Sequence, residues 1–154
     1  MLRNALDQVP DKPDFVEMPI TCIEFLHRHE IPADIIEDLA KCAMPEWTRI
    51  GNLTLVPMTE LIEQNTYSIQ DCINNGYLAL AGGANGDPVV VDRRDRRMYY
   101  VSHELLWSDD WTELNECLHS TPYVYDDFWL ALVGDPEFPW DFDEALRRWP
   151  LETK

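Results

Sequence analysis

The chain has 154 residues, 45% of them hydrophobic and 11% aromatic, and 29 acidic against 12 basic residues give a net charge of −17. This length and apolar content predict one folded domain with its own hydrophobic core and exclude a disordered chain. The negative charge disfavours nucleic acid and anionic membranes as partners, because both repel an acidic surface. We therefore expect the partner to be a basic protein.

The cysteines and the first residues predict a cytoplasmic protein. Cys22, Cys42, Cys72 and Cys117 are widely spaced and form no C-x-x-C pair. The first twenty residues lack the apolar segment of a signal peptide, and no uncharged stretch has the length that a membrane span requires. Reduced thiols and a cytoplasmic location follow as expectations.

Residues 1–19 are predicted to form an extended or poorly ordered lead-in. They contain three prolines and scattered charges, with little periodicity. The domain proper is therefore expected to span residues 20–154.

Two short helices are predicted after the lead-in. Thr21 and Glu24 have the spacing of a capping box, which predicts a helix over residues 21–29 that Pro32 separates from the next. Asp34 is expected to begin the second helix, whose apolar face comprises Ile36, Leu39, Ala40 and Ala43.

The centre of the chain predicts an antiparallel meander. Residues 53–56, 77–81, 89–91 and 98–101 are rich in β-prone residues and are bounded by glycine, proline or polar clusters. The connection over residues 92–97 has the length of a β-hairpin loop.

Two helices are predicted near the end of the chain. Residues 120–122, Ser-Thr-Pro, provide a cap and a proline for the first turn of a helix that ends at Gly134. Its apolar positions recur four apart, at Val124, Phe128 and Leu132. A final helix is predicted over residues 142–149, ended by Pro150.

The glycine-rich stretch GGANGDP, residues 82–88, resembles a phosphate-binding loop at first sight. A Walker loop requires a lysine and a hydroxyl after its last glycine, whereas Gly86 is followed by Asp87 and Pro88. A dinucleotide loop requires a helix to follow, whereas a β-prone run follows here. We interpret the stretch as a bend between two strands.

Two histidine motifs fall short of a metal site, so neither a metal nor another cofactor is expected. His103-Glu104 begins a zinc-protease pattern, but Trp107 stands where the second ligand is required. Cys22, with His27 and His29, lacks a distant fourth ligand.

Three acidic groups could in principle perform acid–base chemistry: Asp109-Asp110, Asp126-Asp127 and Asp141-x-Asp143-Glu144. Such pairs arise by chance in a chain with 29 acidic residues. Because nucleophile motifs are also missing, no catalytic residue is predicted and the chain is expected not to be an enzyme.

One basic cluster lies in the predicted hairpin loop: Arg93, Arg94, Arg96 and Arg97. It could contact phosphate, but Asp92 and Asp95 interrupt it. We favour a solvated loop tip that protects a sheet edge from strand addition, and whether this loop contacts a partner stays open.

The strongest functional signal is an acidic, aromatic stretch. Residues 98–146 contain twelve Asp or Glu and no Lys or Arg. Aromatic residues flanked by acids suit a protein interface that attracts a basic partner, although Trp107 and Trp111, four apart, could also be core residues. The predicted partner-binding residues are Trp107, Asp109, Asp110, Trp111, Glu113 and Glu116.

Four segments follow one another in the order found in a known family. They are Ile31-Pro32-Ala33-Asp34 before a helix, GYLALAGGANGDPVVVD (76–92), MYYVSHE (98–104) and STPYVYDDFWLAL (120–132). In these segments the chain resembles the SUKH superfamily, which groups fungal Smi/Knr-type regulators, Syd-like proteins and bacterial immunity proteins. It departs from the family at residues 42–45, where an Asn-Gly is usual, and in the extra tail beyond Gly134.

The resemblance implies a single α+β domain with a central, mainly antiparallel sheet flanked by helices. It also implies a binding protein without a common catalytic motif. The leading hypothesis is an immunity protein that neutralises a cationic bacterial toxin encoded nearby. The alternatives are a Smi/Knr-type regulatory scaffold without a toxin partner and, third, a carboxylate-based hydrolase.

Overall fold

A six-stranded antiparallel sheet organises the protein, and its strands lie side by side in chain order. The computed structural model describes residues 1–108 and 113–151, without the side chains of Ser68 and Gln70. The strands are β1 (Thr48–Ile50), β2 (Leu53–Leu55), β3 (Tyr77–Gly82), β4 (Pro88–Asp92), β5 (Arg97–Val101) and β6 (Leu118–Val124). The predicted meander is therefore confirmed, and β1 and β6 form the sheet edges.

Eight helices surround the sheet in the described part of the chain. They are α1 (Leu2–Leu6), α2 (Ile20–Arg28), α3 (Ala33–Lys41), α4 (Leu61–Glu63), α5 (Gln70–Asn74), α6 (His103–Leu106), α7 (Tyr125–Gly134) and α8 (Phe142–Arg148). A π-helical turn (Gln64–Ser68) joins α4 to α5, and a 3₁₀ turn (Leu114–Cys117) precedes β6. These elements confirm the predicted α+β fold.

The two faces of the sheet bury different clusters, because side chains alternate along a strand. Val89, Val91 and Tyr100 belong to the large core that also contains Phe128 and Trp129 of α7. On the opposite face lies a smaller cluster of Ile69, Cys72, Ala79, Val90, Val101 and Cys117. This second face is the less covered one, and the candidate site lies on it.

The predicted extended lead-in is wrong for its first residues. Leu2, Ala5 and Leu6 are buried on one face of α1, because their spacing suits a helix that packs on the core. The amide of Leu2 donates to Asp38 Oδ2 over 3.0 Å, and the Tyr125 hydroxyl donates to the same oxygen over 2.6 Å. The domain therefore begins at α1 and not at residue 20.

The closing helix begins three residues later than predicted, at Tyr125 and not at Pro122. Residues 118–124 form β6 and pair with β5, so the helix starts at Tyr125 and ends at Gly134. Pro122 is tolerated because an edge strand requires ladder hydrogen bonds on one side only. Ser-Thr-Pro is a helix signal locally, but pairing with β5 outweighs it.

The helix caps also differ from the predictions. Thr21 is exposed, and α2 begins at Ile20 after Pro19 without a side-chain cap. The last helix is confirmed as α8, and Asp141 caps it by accepting a hydrogen bond from the Glu144 amide over 2.8 Å. Among the described residues, no helix has both the length and the apolar character needed to cross a bilayer.

Candidate protein-binding site

The structure places half of the predicted partner-binding residues on the surface. Trp107 follows α6 and is 56% exposed, so the alternative that it is a core residue is wrong. Glu113 and Glu116, in and beside the 3₁₀ turn, are also exposed. Asp109, Asp110 and Trp111 lie outside the described residues.

Trp107 lines a groove of about 300 Å³ on the second face of the sheet. Trp47, which precedes β1 and is 44% exposed, lines the same groove. We call it the tryptophan groove, and its lining also includes Ala79, Ala81, Gly82 and Pro88. Trp47 is absent from the sequence prediction, although Glu46 beside it repeats the acid–aromatic signal on a smaller scale.

Small residues of β3 leave this groove open. Ala79 and Gly82 carry at most one methyl group, so little side-chain volume rises from the strand into the groove, whereas the Ala81 side chain belongs to the large core on the other face. Gly82 pairs with Thr54 of β2, and Thr54 also lines the groove. Because cross-strand partners point to the same face, a side chain at position 82 would project into it.

Asn65 hydrogen-bonds to the part of β3 that does not pair with β2. Its side-chain Oδ1 accepts from the Ala79 amide over 2.8 Å, and its Nδ2 donates to the Ala79 carbonyl over 3.1 Å. The fully buried amide thus takes the place of a neighbouring strand and satisfies both backbone groups. It holds the π-helical turn, which contributes Gln64 to the groove, against β3.

The GGANGDP stretch is the hairpin between β3 and β4, as predicted. Gly86 has a φ of +90°, which favours glycine, and its amide donates to the Gly83 carbonyl over 3.1 Å. A Cβ at Gly83 would overlap the carbonyl oxygen of Trp140, so only glycine fits that close approach. The Ala84 amide donates to the same Trp140 carbonyl over 3.0 Å. The hairpin thereby fastens the segment before α8.

Asp87 connects several segments of this region, a role that its place in a predicted bend does not indicate. Its carboxylate is buried and accepts hydrogen bonds from the amides of His103 (3.1 Å) and Phe142 (2.9 Å) and from Asn85 Nδ2 (3.0 Å). Its Oδ1 also lies 2.5 Å from His103 Nδ1. One carboxylate thus joins the hairpin, α6 and α8.

The hydrogen bonds of Asp87 also decide its ionisation. Burial alone would raise the pKa of its carboxyl group, but the amides of Phe142 and His103, the His103 imidazole and Asn85 together outweigh burial. The pKa of Asp87 therefore lies below its usual value, and the group is an anion at neutral pH.

The same contact helps to position Trp107. Asp87 holds the ring of His103 at the start of α6, and the His103 and Trp107 ring centroids are 5.5 Å apart. Ser102 caps α6 by accepting from the Leu105 amide over 3.3 Å. The Trp107 side of the groove is therefore connected to the buried carboxylate of Asp87 through His103.

Three exposed acidic residues lie close along the chain to residues that line the tryptophan groove. Glu46, Glu63 and Glu104 are exposed and lie next to, or within one helical turn of, groove residues. Within the described residues, no Lys or Arg lines the groove. Arg49 pairs in strand register with the groove residue Thr54. Its Nε donates to the Gly51 carbonyl over 3.0 Å.

The arginines of the cluster form ion pairs and hydrogen bonds within the protein, so the interpretation of the loop as a solvated tip is wrong. Arg96 reaches Asp34 of α3 over 2.8 Å and Asp126 of α7 over 2.7 Å. Arg93 Nη1 donates to the His29 carbonyl over 2.9 Å. The cluster thus fastens the β4–β5 loop to helices, because nearby carboxylates and carbonyls compete with solvent for the guanidinium groups.

The other members of the cluster are also engaged. Arg94 pairs with Asp92 over 2.8 Å and lies over the Tyr77 ring, and Arg97 Nη1 donates to the Thr121 carbonyl over 3.0 Å. The loop does not protect a sheet edge, because β4 and β5 are interior strands.

The remaining histidine and carboxylate candidates are separated or have structural contacts. Cys22 is buried and donates to the Met58 carbonyl, whereas His27 is exposed. Asp126 pairs with Arg96, and Asp141 caps α8. Within residues 1–108 and 113–151, no three His, Cys, Asp or Glu residues are grouped as metal ligands would be.

The fold and the site together define an α+β domain with an apolar, tryptophan-lined groove on one face of its antiparallel sheet. Comparisons with protein-family models, curated proteins and solved structures find no match for this chain. Functional proposals for it therefore depend on its own residues.

Proposed function

We propose that this protein is a non-catalytic binding module for a basic protein, and that it acts as an immunity protein against a cationic toxin. The observation that carries this proposal is the pair of exposed tryptophans, Trp47 and Trp107, lining one apolar groove in a chain of net charge −17. Tryptophan is among the residues that contribute most to binding at protein interfaces.

The charge supports a basic partner in particular. Glu46 and Glu104 are exposed near the tryptophans, and Glu113 and Glu116 lie beyond Trp107 on the chain. A surface of this kind attracts a basic protein over a distance and increases its association rate. It can also occupy a site that a nuclease uses for polyanionic substrate. The resemblance to the SUKH superfamily suggests the same class of function.

The test is binding between this protein and the product of the gene next to its own. We expect a toxin domain there, and calorimetry at low salt should detect a complex that weakens as salt is added. Replacing Glu113 and Glu116 by lysine should slow association, whereas lysine at both Glu17 and Glu24, two exposed residues elsewhere on the chain, is a control with the same change of charge. A folded protein that does not bind the toxin at low salt contradicts the proposal.

The order of the genes separates this proposal from the regulatory scaffold. An immunity gene is expected directly beside a toxin gene, because the producing cell requires both. A scaffold of the Smi/Knr kind has no such neighbour.

A further inference from the structure

We infer that the tryptophan groove receives one large apolar side chain of the partner, carried on a segment rich in lysine and arginine. This inference rests on the proposed function and specifies which part of the partner is recognised. Four properties of the groove support it: its size, the chemistry of its lining, the charge around it and the rigidity of its walls.

The size of the groove fits a single side chain. Its volume is about 300 Å³, which is at the lower end of the range of roughly 300–1,000 Å³ found for small-molecule pockets. One phenylalanine, leucine or tryptophan side chain is of this scale. A dinucleotide or another large cofactor is not.

The chemistry of the lining favours an apolar guest. Most of the surface is alanine, glycine, proline, valine, isoleucine and tryptophan, and the polar side chains that line it are Thr54 and Gln64. The nearby amide of Asn65 is already engaged with the backbone of Ala79. A charged or strongly polar group entering the groove would lose its hydration without gaining equivalent hydrogen bonds.

The charge around the groove favours basic residues on either side of the anchor. The exposed acids Glu46, Glu63 and Glu104 lie next to, or within one helical turn of, groove residues in three separate segments of the chain. Partner lysines or arginines next to the apolar anchor would therefore be attracted by these carboxylates. Arg49 pairs in register with the groove residue Thr54, so Arg49→Glu replaces a positive by a negative charge on the neighbouring strand and should strengthen binding of a basic segment.

The walls are held before any partner arrives. Asp87 fixes α6 through His103, and Asn65 fixes the π-helical turn to β3. A site whose walls are already ordered loses less conformational entropy on binding than a flexible one. The groove thus has the character of a preformed anchor pocket.

The experiment uses short labelled peptides and the full-length protein. The probe has a central phenylalanine between lysine and arginine residues. One control peptide has alanine at the centre, and another keeps phenylalanine but replaces the basic residues by glutamate. Fluorescence anisotropy measures each affinity for the wild type and for Trp47→Ala, Gly82→Val, Arg49→Glu and Trp140→Ala.

The variants are matched to the groove. Gly82→Val fills it from β3, and its Cβ would meet nothing nearer than the Asp87 carbonyl oxygen at 3.9 Å. Trp140→Ala removes a tryptophan that is 43% exposed and does not line the groove. Circular dichroism and thermal unfolding confirm that each variant is folded.

We expect the basic phenylalanine peptide to bind the wild type about tenfold more tightly than either control peptide. Trp47→Ala and Gly82→Val should each weaken it by about tenfold, Arg49→Glu should strengthen it, and Trp140→Ala should leave it unchanged.

Absence of binding, or binding unaffected by the two groove variants, overturns the inference. A toxin that binds equally well to these variants overturns the inference alone, whereas failure of the toxin to bind overturns the proposed function.

Discussion

His103 Nδ1 lies 2.5 Å from Oδ1 of the buried carboxylate of Asp87, and this contact joins the β3–β4 hairpin to the helix that precedes Trp107. The same carboxylate accepts from the Phe142 amide at the start of α8. Three segments that are far apart in sequence therefore depend on one anion. The contact gives Asp87 a structural importance comparable to that of a large core residue.

Asp87→Ala should lower the free energy of unfolding by about 3 kcal/mol, because it leaves buried donors without an acceptor. Urea unfolding followed by circular dichroism measures the loss. Asp14→Ala, a change at an exposed carboxylate, is the control and should have little effect. Equal stability of the two variants contradicts the role of Asp87 in connecting these segments.

Acid should destabilise the protein partly through Asp87. Its pKa is lower in the folded protein than in the unfolded chain, so the unfolded chain takes up the proton first as the pH falls. The stabilisation is present above the ordinary aspartate pKa of about 3.9 and is lost as the pH falls through the lower, folded value. Unfolding experiments over this range should show a shallower acid dependence for Asp87→Ala, and an identical dependence argues against this assignment.

Gly83→Ala should destabilise the protein by roughly 1–3 kcal/mol, because the added methyl group overlaps the Trp140 carbonyl and displaces the segment before α8. Gly82→Ala is the matched control, since its methyl group meets only the Asp87 carbonyl oxygen at 3.9 Å. Thermal unfolding compares the two variants. If both are as stable as the wild type, the hairpin and the Trp140 segment are not in close contact.

Leu6→Ala should cost about 2–5 kcal/mol, because Leu6 is fully buried in α1. Val16→Ala, at a position that is 40% exposed, should cost much less. Urea unfolding distinguishes the two. A negligible loss at Leu6 would restore the interpretation of residues 1–19 as an extended lead-in.

The meander was predictable from sequence because its signals are local. Runs such as residues 89–91 and 98–101 are β-prone and are separated by a polar loop of hairpin length. β6 was not predictable in this way, because Ser-Thr-Pro favours a helix start until β5 offers a strand to pair with. The burial of Leu2 and Leu6 was not predicted, because α1 is only five residues long and the three prolines that follow it favour an extended segment.

The candidate site was predictable only in part, for a similar reason. Trp107 was identified from its acidic and aromatic neighbours along the chain, and it is exposed. Trp47 joins it only because the β1–β2 hairpin packs next to β3, a contact between distant segments. Asp87 was interpreted as part of a bend, since nothing in the local sequence indicates that Phe142 donates to it.

The most direct test of the proposed function is a neutralisation titration. The product of the gene next to this one, which we propose to be a toxin, is assayed for its activity while the folded protein is added in increasing amounts. We predict that activity falls to the background near one equivalent, and that Trp107→Ala requires a clear excess while Trp140→Ala behaves as the wild type. Toxin activity that persists undiminished in an excess of folded wild-type protein would contradict the proposal.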